Sequence, residues 1–413
     1  MIAPLQGIRV VEVANWMAAP GAAAILADLG AEVIKVEPLG GDPMRGATRL
    51  PKRPEGAAPI DASFQMDNRG KRGIAVALNQ PDGVALVRRL VAQADVFVTN
   101  LLPERQQRFG LDPDTLMADN ARLVHATLTG YGLDGPDARR AGYDLTAFFG
   151  RGGLSQLMSE PGGSAPRVRP AQGDHTAALA LSTAILAALR LAETQDEGQV
   201  IDVSLYATAL WTMGTDLSPG LVDGQNPPAI GRKGRPHALH GTFRTADDRL
   251  LLLFMPEPHW WPKFCAAVER REWIEDERFA TFHARLEHMP VLTDLLDAVI
   301  ATRPLAEWSE RFDQAGLIWA PASTVAEIVA DPHAEAAGLF PELDHASGER
   351  FRTVGVPFAI RGADVGPRGA GPELGEHTRE VLTTLGVDAQ EIDSLVDAGI
   401  VGEPAYDQQG ARQ

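Results

Sequence analysis

Gly7-Ile-Arg-Val-Val-Glu-Val13, then Gly21-Ala-Ala-Ala-Ile-Leu-Ala-Asp-Leu29, then Gly30 and Ala31-Glu-Val-Ile-Lys-Val-Glu37: two short runs of β-branched residues flank a longer alanine-rich one. The short runs read as buried strands and the alanine-rich one as a helix stopped by Gly30. The pattern repeats downstream. Ile74 to Leu78 reads as a strand, Pro81 to Val91 as a helix with proline in its first turn, and Asp95 to Thr99 as a strand ending at Asn100. A helix near Pro113 to Asn120 and the strand Arg122 to Leu128 follow. Short strands alternating with helices predict an α/β unit whose mainly parallel sheet is covered on both faces. Ligands of such sheets sit beyond the carboxyl ends of the strands. The loops to inspect are therefore Ala14–Pro20, Glu37–Arg45, Asn100–Pro103 and Thr129–Pro136.

Farther on, Thr176 to Ala192 reads as a long helix and Gln199 to Leu205 as a strand. Between Ser218 and Pro236 the composition turns to Gly, Pro and Arg, which marks a connector. Gly241-Thr-Phe-Arg-Thr and Arg249-Leu-Leu-Leu-Leu-Phe then suggest antiparallel strands, and amphipathic helices run from about Trp260 to Gln314. This is read as a smaller α+β unit over 237–330. From 331 to 413 the chain is loop-rich, with a helical stretch near Glu376 to Leu385 and an unpatterned tail.

The whole is consistent with more than one packed unit, since 413 residues far exceed the ~150 of a common single domain. Apolar types make up 45% and charged types 23%, which excludes global disorder. The single cysteine, Cys265, cannot form an intrachain disulfide or a zinc ribbon, and points to a reducing, cytoplasmic setting. The start lacks the basic and apolar regions of a signal peptide, and the longest apolar run, Thr176 to Leu189, is shorter than the ~20 residues needed to span a bilayer. No membrane partner is expected. A net charge of −17 argues against nucleic-acid binding. The charge is uneven: residues 1–174 are balanced and the whole negative excess lies beyond them, so a phosphate-bearing ligand is expected on the first part.

Motif searches narrow the chemistry. G-x-S-x-G, H-E-x-x-H and the phosphate-loop pattern G-x-x-x-x-G-K-[ST] are all missing from the sequence. His237 and His240, three apart in a Pro-rich context, read as a chance loop pair, so no metal is expected. Gly130-Tyr-Gly132-Leu-Asp-Gly135 matches G-x-G-x-x-G, but Pro136 and the Arg139-Arg140 pair follow where a dinucleotide site needs a helix; a ligand-side loop with Arg139 or Arg140 facing phosphate fits better than a nicotinamide site. Asp174, in Gln172-Gly173-Asp174-His175-Thr176, reads as a helix N-cap, and a carboxylate kept ionised there can also serve as a nucleophile. Basic residues recur near the strand ends at Arg45, Arg69, Lys71, Arg72, Arg108, Arg139 and Arg140.

Several stretches occur in a telling order: Leu5-Gln-Gly-Ile-Arg-Val-Val-Glu; Ala19-Pro20 with Leu26 to Glu37; Gly41-Asp42-Pro43 with Arg45; Asn68-Arg-Gly-Lys71-Arg72; Asn100; Gly142-Tyr143-Asp144; Gly173-Asp174; and Gly198 to Ser204. In this order they resemble the class III coenzyme A transferases, the family of formyl-CoA and carnitine CoA-transferases, from Pro4 to about Leu385. The resemblance implies an open Rossmann-like large domain made of residues 1–217 and a returning segment 331–413. It also implies a 218–236 linker, the small domain inserted between, and an interlocked homodimer. It implies acyl-CoA and small carboxylic acids as substrates, no metal, and no nicotinamide cofactor. Asp174 matches the nucleophile, which forms acyl-aspartyl anhydride and aspartyl-CoA thioester intermediates. Asn100, Arg108, the backbone from Val76 to Leu78 and Tyr143 match CoA contacts. Pro38 stands where some relatives carry a basic residue, so Arg45 or Arg72 is expected to substitute, and Arg140 remains a phosphate candidate. Trp16 and Met17 would line the acyl pocket, and Gly231-Arg-Lys-Gly234 stands where some relatives have a glycine-rich lid. The racemases of the same family carry Gly-His-Asp where this chain has Gly142-Tyr143-Asp144, and a phenol is a poor proton shuttle near neutrality, which favours transfer over racemisation. A racemase, or an acyl-CoA-binding protein in which Asp174 is only a cap, remains the alternative.

Overall fold

The computed structural model describes residues 1–47, 57, 59–227 and 230–404. Residues 228–229 of the expected connector and 405–413 of the expected C-terminal segment lie outside the described residues. The chain forms two compact units. The first comprises Met1–Ser155, Arg167–Ser218 and the chain from Glu335 onward; the second comprises Gln156–Pro166 and Pro219–Ala334.

The first unit is built on six parallel strands, β1 (Arg9–Val13), β2 (Glu32–Glu37), β3 (Arg72–Val76), β4 (Val96–Thr99), β5 (Val124–Thr129) and β6 (Gln199–Ser204), in the spatial order β3-β2-β1-β4-β5-β6. Val11 of β1 pairs with Ile34 on one side and Phe97 on the other. The apolar runs exist because both faces are covered: Val10, Val11, Val96, Phe97 and Val98 are all fully buried. On one face the helices Ala18–Asp28 and Gln172–Gln195 pack closely because alanines meet there, Ala19, Ala22 and Ala23 against Ala177 and Ala178. On the other, Leu86, Val87 and Leu90 of the helix Pro81–Val91 join Val381, Leu382 and Ile392 from the C-terminal helices. Each such side chain contributes about 1.5–3 kcal/mol by leaving water.

Four sequence expectations are corrected. The tail after Leu385 is ordered: a helix Ala389–Asp397 leads to a strand, Val401–Gly402, which pairs antiparallel with β3 and caps that sheet edge. The expected connector is partly helical, since Gly214–Asp223 continues through Pro219. The expected strand Ile74–Leu78 runs instead from Arg72 to Val76. The long helix begins at Gln172 rather than Thr176 and is 24 residues long, enough by length and composition to cross a membrane; 44% of its most apolar window is buried within the protein.

The second unit has an antiparallel sheet, β7 (His240–Arg244), β8 (Leu250–Phe254) and β9 (Trp319–Pro321). Its core gathers Phe243 and Leu251 from the sheet with Phe264, Leu292, Leu296, Trp308 and Phe312 from the helices.

Candidate active site

Chain direction across the sheet reverses between β1 and β4, and the crevice this leaves at their carboxyl ends is where α/β sheets hold ligands. Asn100 staples that crevice: its Nδ2 donates to Asn15 O at 2.7 Å and its Oδ1 accepts from Asn15 N–H at 3.2 Å. The next residue, Trp16, is a non-glycine with φ of 69°, a conformation costing about 1–3 kcal/mol. Asp42 holds it there by accepting the Trp16 N–H at 3.0 Å. The indole is consequently displayed, 37% exposed, and meets the 61% exposed Tyr143 edge to face at 5.9 Å. Met17 beside it is half-buried and precedes the helix Ala18–Asp28.

Beneath these loops lies a buried ionic network. Glu12 accepts from Lys35 Nζ at 2.9 Å and from Lys71 Nζ at 2.6 Å, and Lys35 also donates to Asp42 at 2.9 Å; all four side chains are sealed from water. Lys71 further donates to Pro20 O, Asp67 O and Asn68 Oδ1, tying β1, β2 and the helix Ala62–Asn68 into one rigid floor. A signal for this network is present in the sequence: Glu12 and Lys35 each interrupt an apolar run inside a strand, Val10 to Val13 and Val33 to Val36, where a charge needs a partner.

Asp174 lies in the first turn of the helix Gln172–Gln195. It is not the N-cap expected from sequence; that position is Ala171, with φ of 83°. Burial and the neighbouring Asp144 push the Asp174 carboxyl up to about 7, with Asp67 adding to the effect and His175 opposing it. Asp144 opens the π-helix Asp144–Arg151, directly after Tyr143, and is only 3% exposed. Among the described residues neither of its oxygens has a hydrogen bond of good geometry, and burial raises its carboxyl while the backbone N–H groups of Ala171 and Gly173 and the charge of His175 pull it back. Gly173 has to be glycine: a Cβ there would sit 2.3 Å from Asp144 Oδ1 and 2.4 Å from the Phe148 ring. His175 Nε2 stands 3.1 Å from Asp67 Oδ1, and this hydrogen bond raises the imidazole above its ordinary value. Sequence reading assigned no role to His175, Asp67 or Asp144.

Asp174 thus neighbours Asp144, which follows Tyr143; Tyr143 meets Trp16; and Trp16 follows Asn15, the partner of Asn100. The partners of the other candidates lie elsewhere. Arg45 is held by Glu37 at 2.7 Å and stacks on Phe64, and Arg72 pairs with Glu32 and Glu380. Arg140 faces Asp137 and Tyr131, Arg108 is exposed beside Phe109, and Val76 is buried opposite Val401. After Gly135 the chain makes turns rather than opening a helix. Among the described residues no cluster of His, Cys, Asp and Glu suited to a metal occurs.

Comparison with known proteins agrees with this architecture. The sequence matches CoA-transferase family III over residues 5–378. The (R)-2-hydroxy-4-methylpentanoate CoA-transferase of Clostridioides difficile is 31% identical over 400 residues, 96% of this chain and 99% of that protein. The succinate–glutarate CoA-transferase of Agrobacterium fabrum is 32% identical over 389 residues, 92% of this chain and 96% of that protein. The crystal structure of a CAIB/BAIF family protein from Brucella suis superposes with a TM-score of 0.84 at 31% identity, covering 93% of this chain and 100% of that one. With a family match over nearly its whole length and relatives above 30% identity along all of theirs, this chain belongs to CoA-transferase family III and is an enzyme of that class.

Proposed function

We propose that this enzyme moves coenzyme A from an acyl-CoA to a carboxylic acid with Asp174 as the nucleophile. The observation that carries this reading is the Asp174 carboxyl itself: half-buried in the first turn of a long helix and raised to about 7, it is a stronger base than a free carboxylate yet substantially ionised near neutrality. An Asp174 oxygen attacks the thioester carbonyl, the C–S bond breaks, and an acyl-aspartyl anhydride and CoA thiolate result. The thiolate then attacks the aspartyl carbonyl, releasing the donor acid and leaving an aspartyl-CoA thioester. The acceptor carboxylate displaces the thiolate to form a second anhydride, and thiolate attack on the acceptor carbonyl gives the new acyl-CoA and frees Asp174. No net proton is consumed, and no step needs a metal or a nicotinamide. The N-terminal end of a helix favours negative charge building on nearby oxygens.

Tyr143 and Asn100 flank the crevice in which the thiol arm would lie. Arg45, Arg72, Arg108, Arg140 and the backbone at Val76 are the proposed contacts for the rest of CoA. Trp16 and Met17 offer an apolar wall to the acyl group, which favours acids with a hydrocarbon body over formate. Assembly as a homodimer is supported by the apolar side chains left at the surface, Trp211 at 87% and Val222 at 89% exposure. The lone thiol, Cys265, is buried and pushed up to about 12 by that burial, in keeping with a reducing compartment and a structural role.

The pH profile tests the nucleophile. Transfer should fall on the acid side with an apparent pKa near 7. Asp144→Asn removes a charge that raises Asp174, so the acid limb moves to lower pH. His175→Gln removes one that lowers it, so the limb moves to higher pH. An acid limb unmoved by both variants would count against Asp174. One observation favours a second reading: the His175–Asp67 pair supplies, beside Asp174, the imidazole that position 143 lacks for α-proton transfer. Solvent deuterium entering the α-carbon of an acyl-CoA, with no acceptor acid present and dependent on His175, would establish it.

A further inference from the structure

Gly231-Arg-Lys-Gly-Arg-Pro-His237, leading into β7, brings three cationic side chains to the second unit. Two of them are matched. Arg232 donates to the Asp297 carboxylate and to Thr242 O, and Lys233 pairs with Asp294 at 2.7 Å. Arg235 is not. It is 6% exposed, and none of its three guanidinium nitrogens has a hydrogen-bond partner among the described residues. Burial and the Arg232 charge push it down to about 10, which still leaves it a cation at neutral pH. A buried, unpaired guanidinium with all its donors empty is an arrangement proteins avoid unless something else fills it.

The surroundings are shaped around that group. Its Cζ lies over the Phe243 ring, 4.9 Å from the centroid, and Arg232 lies over the same ring. Gly241 shares the Phe243 face of β7, and a Cβ there would stand 2.8 Å from Arg235 Nη1, so glycine leaves the room the guanidinium occupies. His237 Nδ1 is likewise without a partner, and burial together with His237 and Arg235 pushes the His240 imidazole down, toward its neutral form. Asp297, the carboxylate that moderates Arg235 through space, is already bound to Arg232. Gly234 and Pro236, its neighbours in sequence, are both exposed.

We infer that Arg235 anchors a carboxylate-binding site in the second unit. One unmatched positive charge calls for one negative charge, and two in-plane N–H groups match the two oxygens of a carboxylate in a bidentate pair. A phosphate dianion would bring a surplus charge into the same space. The occupant is a free organic acid rather than a protein side chain, a distinction the following experiment draws.

Isothermal titration of the full-length protein with acetate and with succinate, at constant ionic strength and against chloride and inorganic phosphate, is the direct test. The parent should bind carboxylate in preference to both controls. Arg235→Met should weaken that binding at least about thirtyfold. In ligand-free buffer it should also melt no lower than the parent, because an unmatched buried charge has gone. Gly241→Ala, which keeps the charge but crowds Nη1, should weaken binding as well. A parent indifferent to carboxylates, or an Arg235→Met protein that binds them equally well, would overturn the site. So would an Arg235→Met protein that loses thermal stability or changes its oligomeric state, since the guanidinium would then be serving a protein carboxylate. Asp174→Asn should retain the Arg235-dependent binding, so failure of the Asp174 chemistry and failure of this site give different results.

Discussion

Asn in place of Asp174 should slow CoA transfer at least about ten-thousandfold while leaving the protein folded and, near pH 8, more stable than the parent. The loss follows from chemistry: an amide cannot form an anhydride, and the two neighbouring carboxylates are engaged elsewhere, Asp144 wedged against Gly173 and Phe148 and Asp67 held by His175. The gain follows from linkage. The Asp174 pKa is raised from 3.8 to about 7 in the folded state, so the native protein holds a proton that the unfolded chain gives up. The stability this provides is complete below pH 4 and disappears as the pH rises through 7, leaving an ionised, half-buried carboxylate that the fold disfavours. Asparagine never ionises. Thermal melts should therefore show the variant ahead of the parent at pH 8, with the gap closing toward pH 4. Loss of activity with that inverted stability separates a functional carboxylate from a structural cap, for which asparagine, itself a good cap, would leave stability at neutral pH about unchanged.

Glu12→Gln should have the largest effect on the fold. Glu12 is the shared acceptor of Lys35 and Lys71, and all three side chains are fully buried. Glutamine keeps the shape but leaves Lys35 with Asp42 and Ala14 O, and Lys71 with neutral acceptors only, Pro20 O, Asp67 O and Asn68 Oδ1. Breaking a buried pair in this way costs about 3–5 kcal/mol, a large share of the 5–15 kcal/mol that typically separates folded from unfolded protein. Burial already pushes Lys71 down to about 8, and Glu12 is the strongest influence holding it charged, so part of the cost is relieved by deprotonation as the pH rises. Calorimetry should show a much lower unfolding temperature, most depressed at low pH within the range where Lys71 stays charged. Glu32→Gln, at a half-exposed carboxylate paired with Arg9 and Arg72, should change stability by about 1 kcal/mol or less.

The strands of the large sheet were readable because burial on both faces leaves uninterrupted apolar runs such as Val96 to Val98, and the long alanine-rich helix because its composition resembles little else. The C-terminal strand Val401–Gly402 was not, because two residues carry no periodicity and the strand exists only by pairing with β3. The start of the long helix was misplaced because residue preference favours Asp over Ala as a cap, whereas the position is set by Gly173 packing under Asp144 and Phe148. Asp174, Tyr143, Trp16 and Asn100 could be picked out by family resemblance. His175 with Asp67 could not, since their contact spans 108 positions and depends on how two helices cross. The Glu12–Lys35–Lys71 network lay between these extremes, visible as charges in apolar strands yet without any indication of which charge meets which.

Oxygen labelling tests the proposed role of Asp174 most directly. When the acceptor acid carries heavy oxygen in its carboxylate, the second anhydride is bridged by one of those atoms, and thiolate attack on the acceptor carbonyl leaves it on the aspartate. After a single turnover and digestion, the peptide containing Asp174 should therefore be heavier by one oxygen isotope, and should not be when the acyl-CoA donor is omitted. Formation of the new acyl-CoA with that peptide unlabelled would contradict covalent transfer through Asp174.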